Sequence, residues 1–354
     1  MRTPLVDVVI PVHSKTRPIS RAVGSVLNHT QADVRVNVVA HNIEKSIIAK
    51  NLGSFREDPR VRLLHLVDGI PSPAGPMNFG LDHCTADFVS VMGSDDEFEP
   101  GAIDSWLAVQ QQGRADFVIS QIRNVGGGLV PSPPARPRRR LKLDAVKDRL
   151  SYRSAPLGLL SRTAFPDLRF AENLASGEDL PYVTELWFRG KNIAFDRTGP
   201  AYLVHADAVD RVTAAPRPIV EDFAFFDLIV DSEWARDFTS RERVAIGIKM
   251  LRGHVFDAVV NRAKAGMSAS ERDALSDIAG RISSWSRGSE KYLSLLDRKV
   301  FEGIRNKDVT VERLMELIAK RWNYRSLDVI LTTNPFLMFS PQAPLRTYIG
   351  GYFI

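Results

Sequence analysis

The chain has 354 residues, 44% of them hydrophobic and 25% charged, a composition that excludes collagen, coiled-coil arrays and intrinsic disorder and leaves room for two globular domains. The formal net charge is +5, from 47 Lys plus Arg against 42 Asp plus Glu. Residues 136–149, RPRRRLKLDAVKDR, hold seven basic and two acidic side chains and so carry the entire surplus, which argues against a broad nucleic-acid-coating surface and for one anionic contact at one place.

Cys84 is the single cysteine and cannot form an intrachain disulfide, a usage that fits a reducing cytoplasm. The opening MRTPLVDVVIPV reads as a short strand, without the length or cleavage site of a signal peptide. No segment supplies about 18 consecutive apolar residues, so no transmembrane span is expected.

Five apolar, β-branched runs follow one another in the first third of the chain: 5–12, 34–40, 61–67, 87–93 and 115–121. They recur roughly every 27 residues, the length of a β-α unit. Their near-continuous Val, Ile and Leu predict strands covered on both faces and hence an α/β fold with a mostly parallel sheet. Between the first two, Pro18 suits a first helical turn, and Ile19, Ala22, Val23, Val26 and Leu27 keep helical spacing. Such open sheets bind ligands at the carboxyl ends of their strands.

The texture breaks at 126–143, GGGLVPSPPARPRRRLKL, which has no periodicity and reads as a flexible basic loop. A helix through 181–188 and short strands in NIAFD and PAYLVH follow. From Pro216 the pattern turns helical, over 220–230, 241–265 and 268–285, with Ser268 and Glu271 as a capping pair, and then around 289–304 and 310–322. The last twenty residues are apolar and aromatic and are expected to pack on something. The predicted division is a catalytic domain over 1–214 and a helical region over 215–354 that binds an acceptor or mediates assembly, with a homo-oligomer expected from the tail ending Tyr352-Phe353-Ile354.

Three constellations carry chemistry. GSDDEFEPGAI, after the fourth strand, crowds Asp95, Asp96, Glu97 and Glu99; it fits either a solvated turn before a Pro100-led helix or a divalent-metal site holding a diphosphate. SGEDLPYVTELW sets Glu178 and Asp179 at the start of a helix, as caps or as a base facing a hydroxyl. His205 ends the strand AYLVH, as a packed residue or a ligand.

Taken in order, these pieces resemble the inverting glycosyltransferases of family 2. DVVIPVHSKTRPISRAVGSVLNHT is similar to their opening strand and helix, GIPSPAGPMNFGL to their glycine-to-asparagine helix start, FVSVMGSDDEFEPGAI to their DXD region, GEDLPYVTELW to their catalytic ED motif, and His205 in YLVHADAVDRVT to their final R-x-H. The resemblance runs from residue 5 to about 213, and within the family it is nearest the bacterial enzymes that decorate wall teichoic acid.

The resemblance implies a GT-A fold, Rossmann-like with a mostly parallel sheet flanked by helices, followed by an α-helical C-terminal region. It implies Mn²⁺ or Mg²⁺ on Asp95 with His205 as a further contact, Asp179 as catalytic base beside Glu178, and a nucleoside cradle at Pro11, Val12 and His13, with His41, Asn78 and Ser94 also on the nucleotide-sugar side. Arg138, Arg139 and Arg140 would hold phosphates of an anionic acceptor or dock on anionic lipid at the inner membrane face. Three departures stand on the nucleotide side: Ala40 and His41 where the family has a base-reading Asp, Gly93 for the first Asp of DXD, and Met77 for an Arg. The expected activity is metal-dependent transfer of a hexosyl or N-acetylhexosaminyl group from a nucleotide sugar, UDP foremost, to an envelope glycan or polyol-phosphate polymer in the cytoplasm. The alternatives are capsule, O-antigen or lipid-linked sugar transfer, or a catalytically degenerate scaffold.

Overall fold

The computed structural model describes residues 3–206 and 217–353, so the predicted boundary between 214 and 215 and the residues just after the His205 motif lie outside the described residues. The chain divides into two compact units.

Unit 1 comprises residues 1–132, 138–143 and 154–215. Strands β1 (Val6–Val12), β2 (Val34–His41), β3 (Val61–Leu66) and β4 (Phe88–Val91) take the places predicted from the first four runs. Then come β5 (Glu97–Phe98), β6 (Phe117–Ile119), β7 (Ile122–Asn124), β8 (Gly158–Ser161), β9 (Ile193–Phe195) and β10 (Tyr202–Val204). The seven-stranded sheet has the order β3-β2-β1-β4-β8-β6-β9. β1 runs parallel to β2 and β4, and β2 parallel to β3, whereas β8 is antiparallel to both β4 and β6. A second sheet, β5-β10-β7, lies at the end of β4.

Helices α1 (Ile19–Leu27), α2 (Lys45–Asn51), α3 (Ala74–Asp82), α4 (Ala102–Gly113) and α5 (Asp179–Arg189) connect the strands. Burial of both sheet faces explains the unbroken apolar runs: Val6, Val8, Ile10 and Val12 of β1 pack with Ile19, Val23 and Val26 of α1 and with Trp106 of α4, all without solvent exposure. Gly80 of α3 is required by close approach, because a Cβ there would lie 2.3 Å from Val9 Cγ1. Asp7, fully buried in β1, is satisfied by Arg35 at 2.8 Å through two bonds, by Asn37 at 3.0 Å and by the amides of Thr85 and Ala86.

Unit 2 comprises residues 133–137, 144–153 and 216–354. Its helices are α6 (Ile219–Asp222), α7 (Ala224–Asp231), α8 (Glu233–Arg236), α9 (Ser240–Lys249), α10 (Phe256–Ala265), α11 (Ala269–Trp285), α12 (Leu295–Arg305), α13 (Val311–Lys320), α14 (Leu327–Ile330) and α15 (Pro344–Tyr352). The single helix predicted over 241–265 is α9 and α10 joined by a π-helical stretch, Met250–Val255. The capping box of Ser268 with Glu271 forms as predicted, and Thr239 with Glu242 forms a second. Among the described residues no helix is long and apolar enough to cross a membrane.

The basic stretch is more structural than its charge suggests. Arg136 pairs through two bonds of 2.7 Å with buried Asp148. Arg149, 2% exposed, gives its Nε to the Pro134 carbonyl at 2.6 Å and Nη1 to the Pro341 carbonyl at 2.9 Å, and burial pulls its pKa down to about 10. The apolar tail packs in part: Gln342 Nε2 donates to the Val146 carbonyl at 2.7 Å, while Phe336, Phe339, Tyr352 and Phe353 are exposed.

Candidate active site

The carboxyl ends of β1 and β2 form a cavity of about 240 Å³ lined by Pro11, Val12, His13, His41 and Asn42, and by residues of the 71–76 segment that opens α3. Pro11 is tolerated in a central strand because of where β4 stops. The Val9 carbonyl takes the Met92 amide on the β4 side, and Pro11, two residues on, faces the same side beyond the last β4 pair, Val9 with Val91. His41 is 4% exposed, and its Nε2 lies 2.8 Å from Asp68 Oδ1 and 3.0 Å from Asn42 Nδ2.

Asp68, in the loop after β3, was not singled out in the sequence. Burial raises its pKa, but bonds from the Ile70 amide, His41 and Asn42 outweigh that and hold it below the ordinary carboxylate value. Asn42, at φ +54°, accepts the Asp68 and Gly69 amides through Oδ1 and so stitches the ends of β2 and β3 together. The carboxylate absent from the end of β2 is thus present at the end of β3, against the imidazole that lines the cavity.

The acidic turn follows β4. Ser94 is buried, and Asp95 Oδ2 meets Arg17 Nη1 at 2.6 Å while its carbonyl accepts from Arg21 Nη2. Both arginines belong to the chain around the start of α1, and neither was predicted at the site. Asp96 turns inward: Tyr202 Oη donates to it at 2.7 Å and the His205 amide at 3.1 Å. Burial, helped by the charge of Asp95, pushes its carboxyl up against those two bonds. The Tyr202 hydroxyl also accepts the Gly93 amide at 2.9 Å. A Cβ on Gly93 would stand 2.8 Å from Asp96 Oδ2 and 3.1 Å from Asp95 Oδ1, so another residue there would push those carboxylates aside. His205, the residue after β10, places Nε2 3.0 Å from Glu97 Oε2.

Glu178 and Asp179, both half-buried, are the N-cap and first residue of α5, where the helix dipole favours negative charge. Asn78 holds that start in place at one remove. Its side chain donates to the Phe170 carbonyl at 3.0 Å and Glu172 at 3.2 Å and accepts the Phe170 amide at 2.8 Å. The Phe170 ring stacks on Tyr182 of α5 with centroids 4.4 Å apart, and the Ala171 amide bonds the Glu178 carbonyl. Asn78 therefore ties α3 to the loop that leads into α5.

Arg138 and Arg139 are exposed; the Arg139 guanidinium reaches the Lys142 carbonyl at 3.4 Å. Arg140 Nη2 lies 3.5 Å from buried Asp196.

A divalent cation is the group this family implies. Among the described residues no three His, Cys, Asp or Glu side chains converge on one point with metal-binding geometry. Of the residues named from the sequence, the Asp95 carboxylate is the donor type a hard cation prefers, and His205 offers a nitrogen donor now 3.0 Å from Glu97. Arg17 and Glu97 are the partners each would exchange for it.

Residues 7–169 match the profile described as glycosyl transferase family 2. Among solved structures, the chain is similar to S. aureus TarS 1-349 in complex with UDP-GlcNAc, at a TM-score of 0.71 and 16% identity, covering 89% of this chain and 90% of that one. Full S. aureus TarS gives 0.68 and 14%, over 89% of this chain and 55% of that one. The 1-349 fragment with UDP gives 0.63 and 16%, over 89% and 90%. At these identities the likeness is one of fold: the mostly parallel sheet with flanking helices is the GT-A arrangement, with a helical region after it. No curated protein matches by sequence. Residues 7–169, with the cavity at β1 and β2 and the acidic turn after β4, are thus the stretch that matches glycosyl transferase family 2, within a GT-A fold.

Proposed function

We propose that the chain moves a sugar from a nucleotide donor, a UDP-sugar first, to a hydroxyl of an anionic envelope glycan or polyol-phosphate polymer, with inversion. One observation carries this reading: the β1–β2 cavity and the Asp95 turn stand at the carboxyl ends of adjacent parallel strands, where an open α/β sheet takes its ligand. The structurally similar TarS fragment is solved with UDP-GlcNAc.

In this reading Pro11, Val12, His13 and His41 border the nucleoside, with Asp68 fixing the His41 ring through the 2.8 Å contact. Ser94 and Asp95 face the diphosphate. A Mn²⁺ or Mg²⁺ held by Asp95 and His205 would neutralise charge on the departing diphosphate. Arg17 and Arg21 bring two guanidinium groups to the same turn, and these oxygens are what guanidinium forks fit. Asp179 takes the proton of the acceptor hydroxyl, Glu178 orients the acceptor or the base, and a single displacement inverts the anomeric carbon. Arg138, Arg139 and Arg140 attract the acceptor's negative charge.

The test is Asp179→Asn in purified protein supplied with Mn²⁺ and UDP-GlcNAc. The substitution should lower transfer by about a thousandfold while donor affinity by calorimetry stays within about twofold of the parent. A parent protein that neither hydrolyses nor transfers from any nucleotide sugar would sink the reading in favour of a scaffold.

A further inference from the structure

We propose that a cleft of about 1060 Å³ lying wholly within unit 2 binds a stretch of an anionic polymer through Lys147, Arg241, Arg287 and Lys291. The inference rests on the polymer-acceptor reading above and gives that acceptor a second holding place, separate from the Arg138–Arg140 run in unit 1.

The four cations come from three separate segments. Lys147 belongs to the turn after Asp144, Arg241 to the first turn of α9, and Arg287 and Lys291 to the chain between α11 and α12. All four are exposed, and among the described residues none of them is in an ion pair. Other cations of the unit are paired within it: Arg252 and Arg321 share Asp297, Arg262 meets Asp222, Arg298 meets Glu302 and Arg313 meets Glu316.

Two acids line the same cleft, but both are spent on local backbone. Asp144 Oδ1 accepts the amides of Val146 at 3.1 Å and Lys147 at 2.7 Å. Glu242 Oε2 accepts the Thr239 amide at 2.7 Å and hydroxyl at 2.8 Å, closing the capping box of α9. With those two carboxylates counted, four cations against two acids leave the lining with a net charge of +2, which favours an incoming polyanion.

Size and chemistry select the ligand. Pockets for a single small molecule run from about 300 to about 1,000 Å³, so this cleft has room for several monomers of a chain. Thr239, Ser240 and Ser340 add hydroxyls and Tyr292 an aromatic face, the partners a polyol or sugar backbone needs between its charges. Guanidinium and ammonium groups bind phosphodiester and carboxylate oxygens alike, so the shared requirement is a regular run of oxyanions on a hydroxylated chain.

The experiment uses the full chain, two double substitutions (K147Q/R241Q and R287Q/K291Q) and four probes. These are a fluorescent glycerol-phosphate hexamer, hexagalacturonate, neutral isomaltohexaose, and vesicles of phosphatidylglycerol. The parent should bind at least one of the two anionic oligomers, with an affinity that falls as salt rises, and ignore the neutral one. Which oligomer it takes identifies phosphodiester or carboxylate as the source. Each double substitution should weaken that binding by about tenfold while thermal melting and donor hydrolysis stay at parental values.

Equal oligomer affinity in parent and variants overturns the proposal. So does binding of isomaltohexaose as tight as that of the anions, binding of neither anion, or a dependence on the four cations seen with vesicles alone. Loss of donor hydrolysis in the parent would sink the reading of the active site instead, leaving the oligomer titration to decide the cleft.

Discussion

Arg17 Nη1 lies 2.6 Å from Asp95 Oδ2, and the two side chains are 8% and 13% exposed. A guanidinium and a divalent cation are thus candidates for the same carboxylate, and at this depth neither is well screened by solvent. Removing the arginine frees the carboxylate for the metal. Arg17→Gln should therefore lower the Mn²⁺ concentration for half-maximal donor hydrolysis by about fivefold, and Asp95→Asn should raise it beyond reach. A metal titration of hydrolysis rate measures both, and an unchanged requirement in Arg17→Gln would show that the pair does not compete with the cation.

Restoring the family's missing acid should harm this chain. A Cβ on Gly93 would already stand 2.8 Å from Asp96 Oδ2, and Asp96 is a half-buried carboxyl whose pKa is pushed up by desolvation and by Asp95. Gly93→Asp adds a third charge to that turn and disturbs the Tyr202 hydroxyl that spans Asp96 and the Gly93 amide. The expected result is a loss of about 2 kcal/mol in stability by denaturant melts, with lower activity. Gly93→Ala, which adds bulk without charge, separates crowding from repulsion by the smaller loss it should show.

The same turn shows what the sequence could and could not reveal. Strand β1, helix α1 and the Ser268 capping box are local patterns, set by residues within a few positions of each other, and they stand where periodicity put them. Strand β8 is four residues long, and its place between β4 and β6 is fixed by antiparallel pairing across more than 35 residues, which no local period records. Arg17, Asp68 and Tyr202 escaped notice for a related reason: each acquires its role from a partner 27 or more residues away. Counting charges overstated the basic segment, because a count does not see that Arg136 and Arg149 are committed to Asp148 and to the Pro134 and Pro341 carbonyls.

Asp68 is expected to act through His41. Asp68→Asn keeps the shape and an acceptor oxygen for Asn42 but removes the charge that orients the imidazole. If that ring borders the nucleoside, KM for the donor should rise by about tenfold with kcat changed by less than about twofold. His41→Asp, which puts a carboxylate at the end of β2 itself, should recover part of the donor affinity in the Asp68→Asn background. A kcat loss with KM unchanged would place Asp68 outside the nucleotide site.

Acid stability follows from three buried carboxylates. Burial raises the pKa of Asp7, Asp148 and Asp297. Hydrogen bonds and charge from Arg35, Arg136, and Arg252 with Arg321, respectively, more than offset this, so each folded pKa lies below the unfolded value of 3.8. A group whose folded pKa is depressed stabilises the fold above its unfolded pKa and loses that contribution as pH falls through the folded one. The melting temperature should accordingly be flat with respect to these groups above about pH 5 and fall below about pH 4. Asp7→Asn should cost about 3 kcal/mol at neutral pH and flatten the acid limb. A variant that keeps the parental acid limb would show that Asp7 does not contribute to it.

The exposed arginines give the last prediction, and their structural differences decide how to test it. Arg140 reaches Asp196, which is 1% exposed and also bonds Ser105 Oγ at 2.5 Å, so Arg140→Gln alters a buried network in addition to any acceptor contact. Arg138 and Arg139 lack such a tie and report on the acceptor more cleanly. Arg138→Gln with Arg139→Gln should weaken use of an anionic acceptor by about threefold to tenfold at low salt and leave donor hydrolysis unchanged. The difference from the parent should shrink as salt rises toward about 0.5 M, because exposed charges are then screened within a few ångströms. Initial rates with a glycerol-phosphate oligomer at two salt concentrations measure it, and a deficit that persists at high salt would mean that the loop acts by its conformation and not by its charge.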